Sequence, residues 1–121
     1  MLYSYKIVTK VFMKNKKRRR HSCHYGCPVE AALDAIGNKW KGIILFHLLD
    51  SVKRFNELQK LIPGVSQRIL TLQLRELEKD KIIIRKVYAE VPPKVEYYLS
   101  SLGLELKPII YALRDWGENL M

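Results

Sequence analysis

The residue pattern predicts an α+β chain, mainly helical, on three observations. Up to Asp80, apolar residues recur every three or four positions in four successive segments, the spacing that lines one face of a helix. Two short runs of strand character follow, Ile82–Tyr88 and Val95–Leu99, joined by a segment containing Pro92 and Pro93. From Ser101 onward the helical spacing returns.

Each element has its own justification. Pro28 suits the first turn of a helix, where its missing N–H costs nothing. Val29, Ala32, Leu33 and Ile36 then make an apolar face, and Gly37 can stop the helix. A second helix is expected from Lys39 to about Leu49, with Trp40, Ile43, Ile44 and Leu48 inward. A short third helix is expected from about Arg54 to Leu61, burying Phe55, Leu58 and either Leu61 or Ile62. Pro63-Gly64-Val65 reads as a tight turn. Ser66 follows as a good N-cap for a fourth helix, Gln67 to Asp80. Leu70, Leu74 and Leu77 define its inner side. At about 100° per residue, Arg68, Thr71, Leu72, Arg75 and Lys79 fall opposite. Ile82–Tyr88 is rich in β-branched residues and too short for a helix, and Val95–Leu99 alternates weakly. One last helix is expected from Ser101 to the end, carrying more apolar groups than a small domain needs for its core, which points to a partner surface.

The chain has 121 residues, 22 Lys plus Arg against 12 Asp plus Glu, and a formal net charge of +10. That length suits one domain able to bury a core without disulfides or metal. A hydrophobic content of 48% is too high for a disordered chain. The longest strongly apolar stretch, Gly42–Leu49, is far shorter than the roughly 18–20 residues of a membrane span. No secretory signal pattern occurs, and the two cysteines exclude a disulfide scaffold, so the cytoplasm is the expected compartment.

The charge is concentrated. Residues 1–20 hold eight basic side chains and no acid, while the other 101 residues are nearly balanced. Residues 1–26 therefore read as a basic arm that need not be wholly ordered, and 27–121 as the domain. Lys16, Lys17, Arg18, Arg19 and Arg20 would bind a polyanion without sequence preference, by counterion release. Nucleic acid is the first candidate, ahead of an anionic membrane or a merely solvated tail. Met13 offers an alternative start that would leave residues 1–12 outside the expressed protein.

Three helices followed by two strands and their loop form the plan of a winged helix-turn-helix, whose second motif helix lies in the DNA major groove. The chemistry of residues 67–79 agrees. Arg68 and Arg75 carry donor forks that match guanine O6 and N7 or phosphate oxygens. Gln67 can read adenine, Thr71 can bond a base edge or a phosphate, and Leu72 can pack on a thymine methyl. An ordinary amphipathic helix with exposed charges would share this face; the turn before it and the strand pair after it favour DNA.

The chain resembles the HxlR-type winged helix-turn-helix transcriptional regulators of bacteria and archaea from about Cys27 onward. The segments that carry the resemblance are Cys27-Pro28-Val29-Glu30, Ile36-Gly37-Asn38-Lys39-Trp40, Arg54-Phe55-Asn56-Glu57-Leu58, Ile62-Pro63-Gly64-Val65-Ser66, Leu70-Thr71, Leu74–Glu78, Val91–Ser100 and the stretch around Trp116. Lys81 departs from it, since the family often has glycine before the first wing strand. The resemblance implies a cytoplasmic homodimer built by extra N- and C-terminal helices and bound to an inverted-repeat operator in double-stranded DNA. Two-fold symmetry would set half-sites about 10–10.5 base pairs apart, or a multiple. Leu106, Ile109, Ile110, Leu113 and Trp116 are then the dimer-interface candidates, and Arg85, Lys86 and Lys94 the wing's phosphate contacts. Some members sense electrophiles or oxidants through a cysteine. Cys27 occupies the position of the family's N-terminal cysteine. A helix N-terminus and the nearby arginine run favour a reactive thiol there, with Cys23 close in sequence. The oxidant or small-molecule effector is left unidentified.

Other chemistry finds little support. His21, Cys23, His24 and Cys27 are spaced too tightly for an ordinary structural zinc site, so neither metal nor cofactor is expected. Gly37 and Gly42 have P-loop spacing, but Ile43-Ile44 stand where Lys-Ser/Thr must be. No nucleophile elbow or recognisable acid–base carboxylate pair occurs, and an enzyme is not expected. A winged-helix module that binds protein or RNA is the rival reading.

Overall fold

A computed structural model describes residues 26–121. The arm residues Lys16–Arg20 and Cys23 lie outside them. The element order is α1 (Pro28–Ile36), α2 (Lys41–Leu48), β1 (Lys53–Arg54), α3 (Phe55–Leu61), α4 (Gln67–Lys79), β2 (Ile83–Tyr88), β3 (Lys94–Leu99), α5 (Ser101–Leu104) and α6 (Lys107–Glu118). This is an α+β, mainly helical winged helix-turn-helix: α3 and α4 form the motif, and β2 and β3 the wing.

The wing hairpin is antiparallel and in register from Ile83 opposite Leu99 to Tyr88 opposite Lys94. A third strand escaped the sequence reading. β1 pairs Lys53 with Tyr97 and Arg54 with Glu96, placing β3 in the middle of the sheet. Two residues are too few to show alternation, so only the partner strand defines β1.

The core gathers Ile44, Leu45 and Leu48 from α2, Leu58 and Ile62 at α3, Leu70, Leu74 and Leu77 from α4, Ile83 and Leu99 from the wing, and Ile110 from α6. Several expectations change. Ile43 is partly exposed and Leu45 is buried instead. Ile62, not Leu61, turns inward at the end of α3. In α1 the small residues Ala31 and Ala35, with Ile36, face inward, leaving Val29 and Leu33 each 61% exposed.

The last helix is two helices. Pro108 lacks the N–H that an unbroken helix would need, so the chain breaks at Glu105–Leu106 and α6 starts with Pro108 in its first turn. This re-aims α6, and Ile110 becomes part of the chain's own core at 3% exposure. Ile110 is therefore a core residue, contrary to the expectation that it faces a partner subunit. Leu106 packs partly against the same core.

The passage from α4 into the wing is a tight corner. Lys81 adopts a left-handed conformation, with φ of 66°. Its N–H bonds Glu78 O at 3.0 Å and the Ile82 N–H bonds Leu77 O at 3.0 Å, a Schellman closure of α4. The glycine common here in the resembling family would take that φ freely; a lysine is strained by its Cβ. Ser100 and Gly103 close the corner from the other side. The Ser100 N–H bonds Ile82 O at 3.0 Å, and Ser100 Oγ donates to Lys81 O at 2.6 Å and accepts the Gly103 N–H at 3.1 Å. A Cβ on Gly103 would stand 2.2 Å from Ile82 O, so α5 can approach this closely only with glycine.

Lys81→Gly is expected to raise stability by about 0.5–1 kcal/mol, because relief of the left-handed strain outweighs the added freedom of the unfolded chain. Urea unfolding of parent and variant checks this. An unchanged or lowered midpoint contradicts it.

Candidate nucleic-acid interface

The motif helices are set by local chemistry. Glu57 accepts the Arg54 N–H at 2.7 Å and so caps α3. Gly64, with φ of 86°, makes the turn that the Pro-Gly pair announces. Ser66 Oγ accepts the Ile69 N–H at 3.1 Å, which fixes where α4 begins.

α4 then divides into three faces. Leu70, Leu74 and Leu77 are buried. Gln67, Arg68, Leu72, Arg75 and Lys79 are exposed, and Leu72 stands out at 51%. Thr71 is half-buried, and its hydroxyl donates to Gln67 O at 2.8 Å, so its proton is committed to the helix while the oxygen can still accept. Between these faces runs a polar flank that the sequence reading missed. Lys41 Nζ lies 2.6 Å from Glu76 Oε1, with Lys41 only 1% exposed. Asn38 Nδ2 donates to Gln73 Oε1 at 2.8 Å. Asn38 Oδ1 also accepts the backbone N–H of Trp40 at 3.0 Å and of Lys41 at 2.8 Å, capping α2. A charged residue and a glutamine interrupting apolar helix faces were the available signal.

The wing candidates separate by the pleat. Partners across an antiparallel sheet point the same way and neighbours along a strand point oppositely. Arg54, Glu96 and Lys86 share one face, which also carries Lys94 and Tyr88; Arg85 lies on the other, level with Tyr97. Lys86 Nζ stands 4.9 Å from the centre of the Tyr88 ring and Lys94 Nζ 5.0 Å, both in cation–π range. The Tyr88 hydroxyl donates to Glu96 Oε1 at 2.8 Å, and Lys94 Nζ lies 3.4 Å from Glu96 Oε2. The Tyr88 bond, then Lys94 and the charge of Arg54, hold the Glu96 carboxyl below its ordinary pKa, against some desolvation. Glu96 thus offsets part of the lysines' charge, while Arg85 is exposed.

Two further helices expose apolar side chains. Val29 and Leu33 of α1 are exposed, as are Leu113 and Trp116 of α6, at 53% and 63%, and Leu120 beyond its end. Ile109 is half-buried. Cys27 is exposed immediately before α1. His47 is half-buried at the end of α2, where burial and then the charge of Lys53 press its pKa down. Among the described residues, no group of three or more His, Cys, Asp or Glu could hold a metal ion, and no helix is long and apolar enough to cross a membrane.

Residues 35–121 match the family described as HxlR-like helix-turn-helix. Over 94 residues, 78% of this chain and 73% of the relative, the chain is 62% identical to the uncharacterized HTH-type transcriptional regulator YdeP of Bacillus subtilis. It is 51% identical over 105 residues to the uncharacterized HTH-type transcriptional regulator YybR of the same organism, covering 87% of this chain and 84% of that one. The redox regulator HypR in its oxidized form superposes with a TM-score of 0.74 at 56% identity, covering 77% of this chain and 96% of that structure. On fold, sequence match and solved relatives alike, this chain belongs to the HxlR-like helix-turn-helix family.

Proposed function

We propose that the protein is a sequence-specific DNA-binding transcriptional regulator that acts as a cytoplasmic homodimer on an inverted-repeat operator. The observation that carries this reading is the outer face of α4, where Arg68, Leu72 and Arg75 stand exposed opposite three buried leucines. A helix placed this way in the motif enters the major groove with its N-terminal residues nearest the base edges. Arg68 is the second residue of α4 and is assigned base reading, with Gln67 and Leu72 beside it. Arg75, about 10 Å further along the axis, reaches a base or a phosphate. Ser66, with its oxygen engaged in the cap, offers its proton to a phosphate, and Thr71 contributes its acceptor oxygen. Arg85, Lys86 and Lys94 of the wing meet the flanking backbone or minor groove. Residues 27–121 act as the domain, and residues 1–26 as an arm whose Lys16–Arg20 run adds attraction independent of sequence.

The exposed apolar faces of α1 and α6 support the dimer: Val29, Leu33, Leu113 and Trp116 are large groups that pack better against a second copy than against water. Cys27 is exposed immediately before α1, which supports thiol sensing, as does the likeness to a redox regulator. Two thiols forming a disulfide release two protons and two electrons to an oxidant such as diamide, while addition to a quinone makes one C–S bond and returns the thiol proton to the reduced ring. Either event at Cys27 would alter the packing of α1 in the dimer.

Arg68→Ala is expected to weaken binding to a selected operator duplex by about 1–3 kcal/mol with little change on random DNA, measured by fluorescence anisotropy. An equal loss on both duplexes would reassign Arg68 to the phosphate backbone. Trp116→Glu should shift the protein from dimer to monomer in sedimentation equilibrium; a dimer that persists removes α6 from the interface. Diamide should change operator affinity of the parent and leave Cys27→Ser unaffected. Identical responses would end the sensing role of Cys27.

A further inference from the structure

α4 is seated by two kinds of contact. Leu70, Leu74 and Leu77 pack against the core, but apolar packing is non-directional and tolerates small rolls of a helix. The polar flank is directional. Gln73 and Glu76 lie one turn apart on α4, and both bond to one short block at the start of α2: Gln73 to Asn38 at 2.8 Å and Glu76 to Lys41 at 2.6 Å. The block is internally tied, since Asn38 Oδ1 holds the Lys41 N–H at 2.8 Å. Two attachments one turn apart define roll and axial position together, which neither defines alone.

Stability does not call for this arrangement. Lys41 is 1% exposed, and burying an ammonium is costly enough that an apolar pair of similar volume is often as stable or more so. We propose that Lys41 and Glu76, with Asn38 and Gln73, are positioning residues that hold α4 in the single roll at which Arg68, Leu72 and Arg75 meet the bases. The inference rests on the reading of α4 as the DNA-recognition helix. A roll of about 20° moves a group roughly 6 Å from the helix axis by about 2 Å, more than a bidentate hydrogen-bonded contact tolerates.

The test uses the full chain. Duplexes are enriched from a random pool with the parent. Affinities for an enriched and a scrambled duplex are then measured for the parent and for the double variant Lys41→Met/Glu76→Met, at a temperature where both are fully folded. The double variant should melt at or above the parent and bind the scrambled duplex with the parent's salt slope, while the ratio of affinities falls about tenfold, the worth of one well-placed base contact. A parent-like ratio overturns the inference. If the double variant does not fold, Gln73→Met decides: Asn38 is exposed, so no buried group is stranded, and a severalfold drop in the ratio supports the inference while an unchanged ratio overturns it. A parent that enriches no duplex overturns the DNA reading and this inference together.

Discussion

The seating of α4 on α2 is the constraint from which the rest of the molecule follows. Leu70, Leu74 and Leu77 disappear into the core, each worth about 1.5–3 kcal/mol relative to exposure. Their burial determines that Arg68, Leu72 and Arg75 are outside, because a helix cannot turn one face in without turning the opposite face out. The Lys41–Glu76 and Asn38–Gln73 bonds add little to that sum and much to its geometry. Apolar burial supplies the energy, and the directional bonds choose among nearly equivalent rolls.

The wing depends on α4 through one corner. The chain leaves α4 by a left-handed residue, Lys81, and enters β2 at once. The hairpin returns to the same point, where Ser100 bonds to Lys81 and Ile82 and Gly103 lies against the Ile82 carbonyl. The origin of the wing is thus tied to the end of α4 and to the start of α5. The hairpin's outer half, where Tyr88 lies between two lysines, is tied to the core by fewer groups, and most of its residues are exposed.

Much of this was legible in the residues because the signals were local. Ser66 as a cap, Pro63-Gly64 as a turn and the leucine spacing of α4 each act within a few positions, and each is found in place. Features whose deciding partner is distant in sequence carry no such local signal. β1 exists only because β3 lies beside it. The inner face of α1 belongs to alanines, because close approach to the body favours small residues over Val29 and Leu33. Lys41 looked like any surface lysine until Glu76, thirty-five positions later, came within 2.6 Å. Pro108 was a local signal that the apolar run around it obscured. A count of apolar spacing ignores the missing N–H that split the helix and sent Ile110 inward.

The break at Pro108 has a consequence for how the two surfaces coexist. An unbroken helix would carry its apolar residues along one stripe, so that core packing and an external contact would compete for the same side chains. Because α6 begins anew, Ile110 and the half-buried Tyr111 serve the core while Leu113 and Trp116 are left outside. Val29 and Leu33 on α1 are left outside by the parallel device of giving the core-facing positions to alanine. The outer face of α4 is made by its own Arg68, Leu72 and Arg75. A protein that reads DNA as a dimer has to keep these duties apart, since a residue shared between subunit contact and base contact would bind one partner at the expense of the other. Under the proposed function each duty would have its own helices, linked by the core that α2, α4 and α6 build together.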